Sequence, residues 1–184
     1  GMIFDILQDQ EGFIWIATKD GLNRYDGKAF KYYNYDPFSP HSISGNTIES
    51  IVEDQYGRLW VGTYNNGLNL FDKRNELFHR IEEPLSHYSV RVIREAPDGS
   101  IWVGTANGLN HLEWKNDPPA ILEEDFDIEN ALEVQHFQMN QPRLEIHRKL
   151  IDQLCITSKG VVVAGSHDHT YIWNASKNRF EDLF

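Results

Sequence analysis

The sequence predicts an all-β fold: a β-propeller with four blades of four antiparallel strands each, which together form part of a larger propeller. One block recurs with an aligned glycine at Gly12, Gly57, Gly99 and Gly160, and its copies read DQEGFIWIAT, DQYGRLWVGT, APDGSIWVGT and, more weakly, TSKGVVVAGS. A second block follows the first three copies as DGLNRYD, NGLNLFD and NGLNHLE. No unit contains a long amphipathic run outside the enlarged third one. Such self-similarity is typical of propellers and excludes helical solenoids.

Each unit is predicted to hold four short strands separated by turns. The first strand carries apolar, mostly β-branched residues three apart, such as Ile48 and Ile51. The second strand is the FIWIAT-type run, which is apolar enough for burial on both faces. Glycine in the first block and Asp-Gly or Asn-Gly in the second mark the turns. Fourth strands are expected at Ala29–Tyr33, Leu77–Ile81, Val134–Met139 and Arg179–Phe184.

The blades then span approximately 3–33, 48–81, 90–139 and 151–184 of a single domain, 1–184, with strand 1 nearest the axis and strand 4 outermost. The third blade carries an insertion at 114–132, which includes the nearest helical candidate of the chain, Ala120–Leu132. Because buried loops leave backbone polar groups without partners, we expect a peripheral loop or short helix there. Deletion of most of 116–130 is expected to leave the fold intact.

Composition and charge limit the classes of partner. The chain is 40% hydrophobic and 24% charged, and its formal net charge is −11. This field repels phosphate backbones and anionic headgroups, so nucleic acid and membrane surfaces are excluded as partners. No stretch reaches the length of a membrane span, and Gly1 ahead of Met2 is expected of a fragment cut from a longer protein. The single cysteine, Cys155, lies in an apolar run and is expected to be buried.

The repeated blocks resemble the two-component regulator propeller repeat, as in D-Q-Y-G-R-L-W-V-G-T-Y-N-N-G-L-N-L-F-D. The segment Ser39–Ile48 also resembles the connection between blades in that family. The resemblance implies a role in the periplasmic sensor region of a hybrid two-component regulator of Bacteroides type, within a longer membrane-anchored protein that responds to glycan-derived ligands. The fourth unit departs from the repeat, with Val163 in the tryptophan position and His169 and Tyr171 in place of the Gly and Asn of G-L-N.

Aromatic and polar residues that recur in register are candidates for either a site or a scaffold. Trp15, Trp60 and Trp102 could stack on a sugar, but their equivalent positions favour packing between adjacent blades. The other recurring side chains are expected to brace turns through hydrogen bonds to the backbone; they are Asp9, Asp54, Asn23, Asn69 and Asn110.

Four non-recurring segments are weighed as candidate sites. His167-Asp168-His169 is a metal-ligand candidate, against the interpretation of a solvent-exposed turn, and no third ligand can be named. The aromatic segment Tyr32–Phe38 is either a ligand platform or an outer strand running into its loop. Glu82-Glu83 and Glu123-Glu124-Asp125 are interpreted as solvated loop charge.

Two functional hypotheses follow. The first is a non-catalytic sensing or interaction module with an oligosaccharide ligand. The second is a propeller enzyme, a polysaccharide lyase or hydrolase, acting at the central channel. Recurring Gly, Trp, Thr and Asn build a scaffold and assemble no acid–base pair, so the first is favoured. No catalytic residue, metal or cofactor is assigned, and the ligand-binding residues are not identified. Open faces on the end blades are expected to be apolar and to promote a two-fold dimer.

Overall fold

Each repeat folds as its own antiparallel sheet in the computed structural model, which describes residues 1–139, 150–167 and 169–183. In every sheet the strands are ordered as they follow along the chain. Blade 1 contains β1 to β4, at Ile3–Gln8, Ile14–Thr18, Gly21–Tyr25 and Phe30–Tyr33. Blade 2 contains β5 to β8, at Ile48–Glu53, Leu59–Thr63, Leu68–Asp72 and Leu77–Ile81.

Blade 3 contains β9 to β12, at Val90–Glu95, Ile101–Thr105, Gly108–Trp114 and Leu132–Phe137, with the short helix α1, Ile128–Ala131, before its last strand. Blade 4 contains β13 to β16, at Gln153–Ile156, Val162–Gly165, Thr170–Asn174 and Arg179–Asp182. The predicted last strand of blade 3 therefore begins and ends two residues too late, and Phe184 lies outside the described residues. Gly57 and its equivalents adopt positive φ in the turn between the first two strands, as glycine allows.

Contacts between blades run mainly through the first strands. The strand β5 contacts both β1 and β9, and β9 contacts β13, which makes the first strand of each blade the innermost one. Three hydrophobic clusters result, one between each pair of successive blades, and they are centred on Trp15, Trp60 and Trp102. The predicted packing role of the tryptophans is confirmed.

The four blades form an open arc. In the second strands of blades 2 and 3 every residue is buried, because a neighbouring blade covers each face. In β2 only the residues facing blade 2, Trp15 and Ala17, are buried. In β14 the residues facing blade 3, Val162 and Ala164, are buried instead. Blade 1 is therefore open on the face that points away from blade 2, which we call its rear face. Blade 4 is open on the face that points away from blade 3, its front face.

The open front face of blade 4 corrects the prediction for the cysteine. Cys155 is exposed, although its neighbour Leu154 is buried. Successive residues of a strand point to opposite faces, so Leu154 packs against blade 3 and Cys155 lies on the uncovered side.

Among the described residues, no helix has the length and apolarity required to cross a bilayer.

The insertion of blade 3 contains a short helix, as predicted, and it is also packed against blade 2. Leu122, Ile128 and Leu132 are buried in the cluster around Trp60, and the expected tolerance of a deletion of most of 116–130 stays a prediction. Its backbone is also tied to blade 2: Asn75 donates to the carbonyl of Leu122 (2.6 Å), and the Leu122 N–H donates to Asp72 (2.9 Å). Apolar side chains within the inserted segment cover the outer part of the interface between blades 2 and 3.

Candidate functional site

The recurring aspartates bind the recurring tryptophans, a contact that the sequence analysis did not anticipate. Asp9 accepts from the Trp15 indole N–H at 2.8 Å, and Asp54 accepts from Trp60 at 2.9 Å. Each carboxylate also accepts backbone N–H groups of its own turn, as predicted, and those of Asp54 come from Tyr56 and Arg58. In blades 1 and 2 one buried carboxylate thus fixes both the turn and the ring that packs between blades, whereas blade 3 has Ala96 in this position.

The surroundings of these two aspartates differ in charge. Burial alone would raise the pKa of Asp9, but the hydrogen bonds from Trp15 and Lys73 outweigh it and hold that pKa below its ordinary value. The Lys73 ammonium lies 3.1 Å from Asp9 and 2.8 Å from Glu53, and all three side chains are almost wholly buried. Burial raises the pKa of Asp54, which has no lysine partner of this kind. Only the interface between blades 1 and 2 therefore holds a buried lysine–carboxylate cluster among the described residues.

The recurring asparagines Asn69 and Asn110 hold the segments that connect blades and not the turns they were predicted to brace. The side-chain carbonyl of Asn69 accepts the backbone N–H of Ser44 at 2.9 Å. Asn110 accepts that of Ser86 in the same way at 2.8 Å. Both amides also donate to the neighbouring strand, at the carbonyls of Val61 and Val103. These residues are scaffold as well.

A contrasting set of positions lines the axis of the arc. The position eight residues ahead of each turn glycine holds side chains of three chemical kinds, an aromatic ring, a guanidinium and two carboxylates, namely Phe4, Arg91, Glu49 and Asp152. They line one cavity of about 360 Å³ together with Leu150 and Gln153. The repeated blocks keep the same residue types from blade to blade, whereas this position on the innermost strand changes in each blade. Variation within a constant scaffold is the pattern expected of a recognition surface.

Arg91 is the centre of this axial cavity. Its guanidinium lies 3.4 Å from a carboxylate oxygen of Glu49 and 4.4 Å from the centre of the Tyr64 ring. Its Nε is buried and has no hydrogen-bond partner among the described residues. Phe4 and Tyr64 are each more than one-third exposed beside it. The cavity therefore combines an oriented cation, two carboxylates and the accessible ring of Phe4, which can bind hydroxyl groups and an apolar ring face.

The other candidates from the sequence do not assemble into a site. His169 is hydrogen-bonded to Asp182 at 2.9 Å, whereas His167 is exposed, and Asp168 lies outside the described residues. No group of three metal-ligating side chains occurs in the part of the chain that the structure describes. Tyr33 is buried against Trp15, while Phe38 is 94% exposed, so the aromatic segment forms no continuous platform. The two acidic runs are exposed, as expected for solvated charge.

The axial residues were missed because each is unremarkable alone. Phe4, Glu49, Arg91 and Asp152 follow no motif, and only the alignment of the four units by their turn glycines reveals that they share a register. Their position on the innermost strand then places them around one axis. Searching for recurring residues finds the scaffold, and searching for recurring positions with changing residues would have found this cavity.

Comparison with known sequences finds one family that three of the four repeats match. Residues 1–20, 42–65 and 84–107 match the family described as two component regulator propeller. The fourth unit, which lacks the tryptophan, lies outside the matched segments. A curated relative is histidine kinase P4 of Formosa agariphila, 48% identical over 42 residues, which are 23% of this chain and 3% of the kinase.

Solved structures share the fold over almost the whole chain. The extracellular domain of a putative one component system from B. thetaiotaomicron has a TM-score of 0.71 and 21% identity, covering 98% of this chain and 24% of that one. The extracellular domain of a putative hybrid two component system from the same organism has a TM-score of 0.59 and 21% identity, covering 98% and 29%. Virginiamycin B lyase from Staphylococcus aureus has a TM-score of 0.67 and 13% identity, covering 98% and 55%.

Proposed function

We propose that this chain, which is built from two-component regulator propeller repeats, is a non-catalytic ligand-binding part of a longer sensor and that it binds a neutral sugar at its axial cavity. The chain spans only about a quarter of the extracellular domains it resembles. The complete sensor, its periplasmic position, its hybrid two-component organisation and its membrane anchor are therefore part of the proposal.

The observation that carries this proposal is the mixed chemistry of the axial register. Arg91, Glu49 and Asp152 supply donors and acceptors for hydroxyl groups, and Phe4 supplies an apolar face. Hydrogen bonds to charged groups are worth about 1.5–3 kcal/mol each, so a few of them orient a small polar ligand. Two carboxylates against one guanidinium, in a chain of net charge −11, favour a neutral sugar over a polyanionic one.

The enzyme hypothesis has less support. Catalysis by acid–base chemistry needs two titratable groups with distinct roles near one reacting atom. At the axial cavity the Glu49 carboxylate lies 3.4 Å from the Arg91 guanidinium, so this carboxylate is engaged in an ion pair and is not held free beside a reacting atom. The likeness to a lyase at 13% identity concerns the fold alone.

The test is a panel of short neutral oligosaccharides together with anionic glycosaminoglycan fragments, each titrated by calorimetry and then examined for products. We expect a neutral sugar to bind and to be recovered unchanged. Arg91→Ala is expected to weaken that binding at least tenfold, since it removes an oriented charged donor. Arg94→Ala removes the same charge from an exposed position on the same strand and is the matched control. Cleaved products would establish the enzyme hypothesis, and equal effects of the two substitutions would exclude the axial site.

A further inference from the structure

The rear face of blade 1 carries a groove that the axial site does not involve. We call it the rear groove; Ile3, Ile16, Asn23, Phe30 and Tyr32 are its main lining residues, and its volume is about 350 Å³. Phe30 and Tyr32 are 49% and 66% exposed. The residue equivalent to Phe30 in blade 2 is Phe78, which is only 3% exposed. The groove is therefore an apolar surface that is covered elsewhere in the same molecule.

In blade 2 the equivalent surface is covered by blade 1, whose Tyr33 ring lies 5.9 Å from that of Phe78, and by residues from the connecting segment ahead of it. Ile43 is fully buried there, in the cluster between blades 1 and 2. Ser44 follows it, donating its backbone N–H to Asn69 and accepting from the Asn69 amide through its hydroxyl at 2.8 Å. The connecting segment thus makes two contacts at once, through an apolar side chain and through the backbone N–H of the next residue.

Blade 3 repeats the arrangement with a different sequence. Leu85 packs against the cluster between blades 2 and 3, and the backbone N–H of Ser86 donates to Asn110 at 2.8 Å. The two connecting segments otherwise differ in sequence, as SPHSISGNT and EEPLSHYS show. The shared element is a dipeptide in which an apolar residue precedes serine.

Asn23 of blade 1 is oriented to make the same contact. Its amide donates to the carbonyl of Ile16 at 3.4 Å, as Asn69 donates to Val61 at 3.3 Å, which places both side chains on their strands in the same way. Within residues 1–139, 150–167 and 169–183, no group donates to the Asn23 side-chain carbonyl. The side-chain carbonyl of Asn23 is therefore available to accept a hydrogen bond at one end of the apolar groove.

We propose that the rear groove of blade 1 binds an extended peptide segment that presents an apolar residue followed by serine. The apolar side chain fills the space beside Ile16 and Phe30, and the serine N–H donates to Asn23. Hydrophobic burial supplies most of the affinity, and the single backbone donor fixes the register. A proline in the serine position removes that donor and is excluded.

The backbone register allows the segment to be supplied within the chain. The Met2 carbonyl accepts from Lys19 N–H at 3.1 Å, as the Thr47 carbonyl accepts from Tyr64 N–H at 2.9 Å, so Met2 is equivalent to Thr47. Adding Ile-Ser-Gly ahead of Gly1 places the isoleucine and serine in the register of Ile43 and Ser44. The control adds Ile-Pro-Gly, which keeps the apolar residue and the length.

We expect the Ile-Ser-Gly extension to raise Tm by about 3 °C, and the Ile-Pro-Gly extension to raise it clearly less. In Asn23→Leu the difference between the two extensions is expected to disappear. The side-chain amide resonance of Asn23 should shift in the first extended chain and stay in place in the second. Equal Tm values for both extensions, with an unmoved amide resonance, would overturn the proposal. A gain that grows with protein concentration would instead assign the groove to a second copy and would also overturn it.

Discussion

The interfaces at the two ends of the arc are built from different chemistry on the same backbone plan. Between blades 1 and 2, Glu53 accepts the backbone N–H of Gln10, and Asp5 accepts that of Ile51. Between blades 3 and 4 the residues equivalent to Glu53 and Asp5 are Ile156 and Val92, whose side chains cannot accept a hydrogen bond. The first interface is joined by charged hydrogen bonds and the last by apolar contact.

One replacement in the last interface is matched across the two blades. Ile156 stands in the position of Glu53, and Pro97, which has no N–H to leave without a partner, stands in the position of its donor Gln10. This matching avoids the cost of one buried donor without a partner. The lysine–carboxylate cluster has aromatic rings in its place: Trp102 lies 5.6 Å from Phe137, which lies 4.8 Å from Trp173.

The largest expected effect is at the aromatic interface. Trp102→Ala removes the ring on which the packing between blades 3 and 4 is centred. We expect it to reduce the free energy of unfolding by about 4 kcal/mol, as is usual for a buried tryptophan. Chemical denaturation measures this, and the loss is expected to be independent of pH between 4 and 8. A loss below about 1 kcal/mol would show that the ring does not hold this interface.

A smaller loss, dependent on pH, is expected at the polar interface. Lys73→Met leaves Asp9 and Glu53 buried without their cation and is expected to cost about 3 kcal/mol near neutral pH. The folded-state pKa of Asp9 is lowered, so its stabilising contribution is present above its ordinary pKa and is lost as pH falls through the folded value. The cost of the substitution should therefore shrink below about pH 4.

Lys115→Met is the matched control, because Lys115 occupies the equivalent position in blade 3 and its ammonium binds only the exposed carbonyl of Asn130. Its cost is expected to stay within about 0.5 kcal/mol at every pH. If both lysine substitutions cost the same, the buried cluster has no special role and the comparison of the two interfaces fails.

These two contrasts define how much the sequence could predict. Turn glycines, β-branched runs and the tryptophans are local signals, and they predicted the blades and the role of Trp15, Trp60 and Trp102. The cluster around Lys73 joins residues 64 positions apart, and no local pattern records that distance. The burial of apolar side chains in the insertion was missed for the same reason: Leu122 packs in the cluster around Trp60 of blade 2, through contacts that only the folded chain defines.

The axial site needed one further step. In the sequence, Arg91 and Glu49 resemble ordinary charged residues of a protein surface. Their ion pair becomes apparent only when the first strands are arranged around one axis. The turn glycines could have been used to align the register. The distance between Arg91 and Glu49 across two blades, however, depends on the curvature of the arc.

Introducing the polar contact into the last interface sharpens the comparison further. Ile156→Glu alone is expected to be destabilising, because its new carboxylate faces Pro97. Adding Pro97→Gln supplies the N–H donor, and the pair should show a favourable coupling of about 1 kcal/mol in a double-mutant cycle. Strictly additive substitutions would mean that the equivalence of the two interfaces does not extend to their hydrogen bonds.

The weakest contact is expected at the open faces. Blade 1 exposes Ile6 there, beside the rear groove and not within it, but blade 4 offers Val163 where the other blades have tryptophan. We expect the chain to form a weak two-fold dimer in which the end blades meet around Ile6 and leave the rear groove free, and Ile6→Lys to abolish it. Light scattering at micromolar concentration is the measurement. A clean species at the chain mass of 21.4 kDa, unchanged on concentration, would contradict this expectation.

The central claim is that recurring residues build the scaffold and that changing residues at the axial register bind the ligand. Calorimetric titration of the sugar selected by the panel, with Tm recorded for the same samples, tests it on Arg91→Ala and Lys73→Met. The account predicts at least tenfold weaker binding with a small change in Tm for Arg91→Ala. For Lys73→Met it predicts unchanged affinity and a Tm lowered by about 10 °C. Unchanged affinity in Arg91→Ala, or loss of binding in Lys73→Met at a temperature where that variant is fully folded, would contradict it.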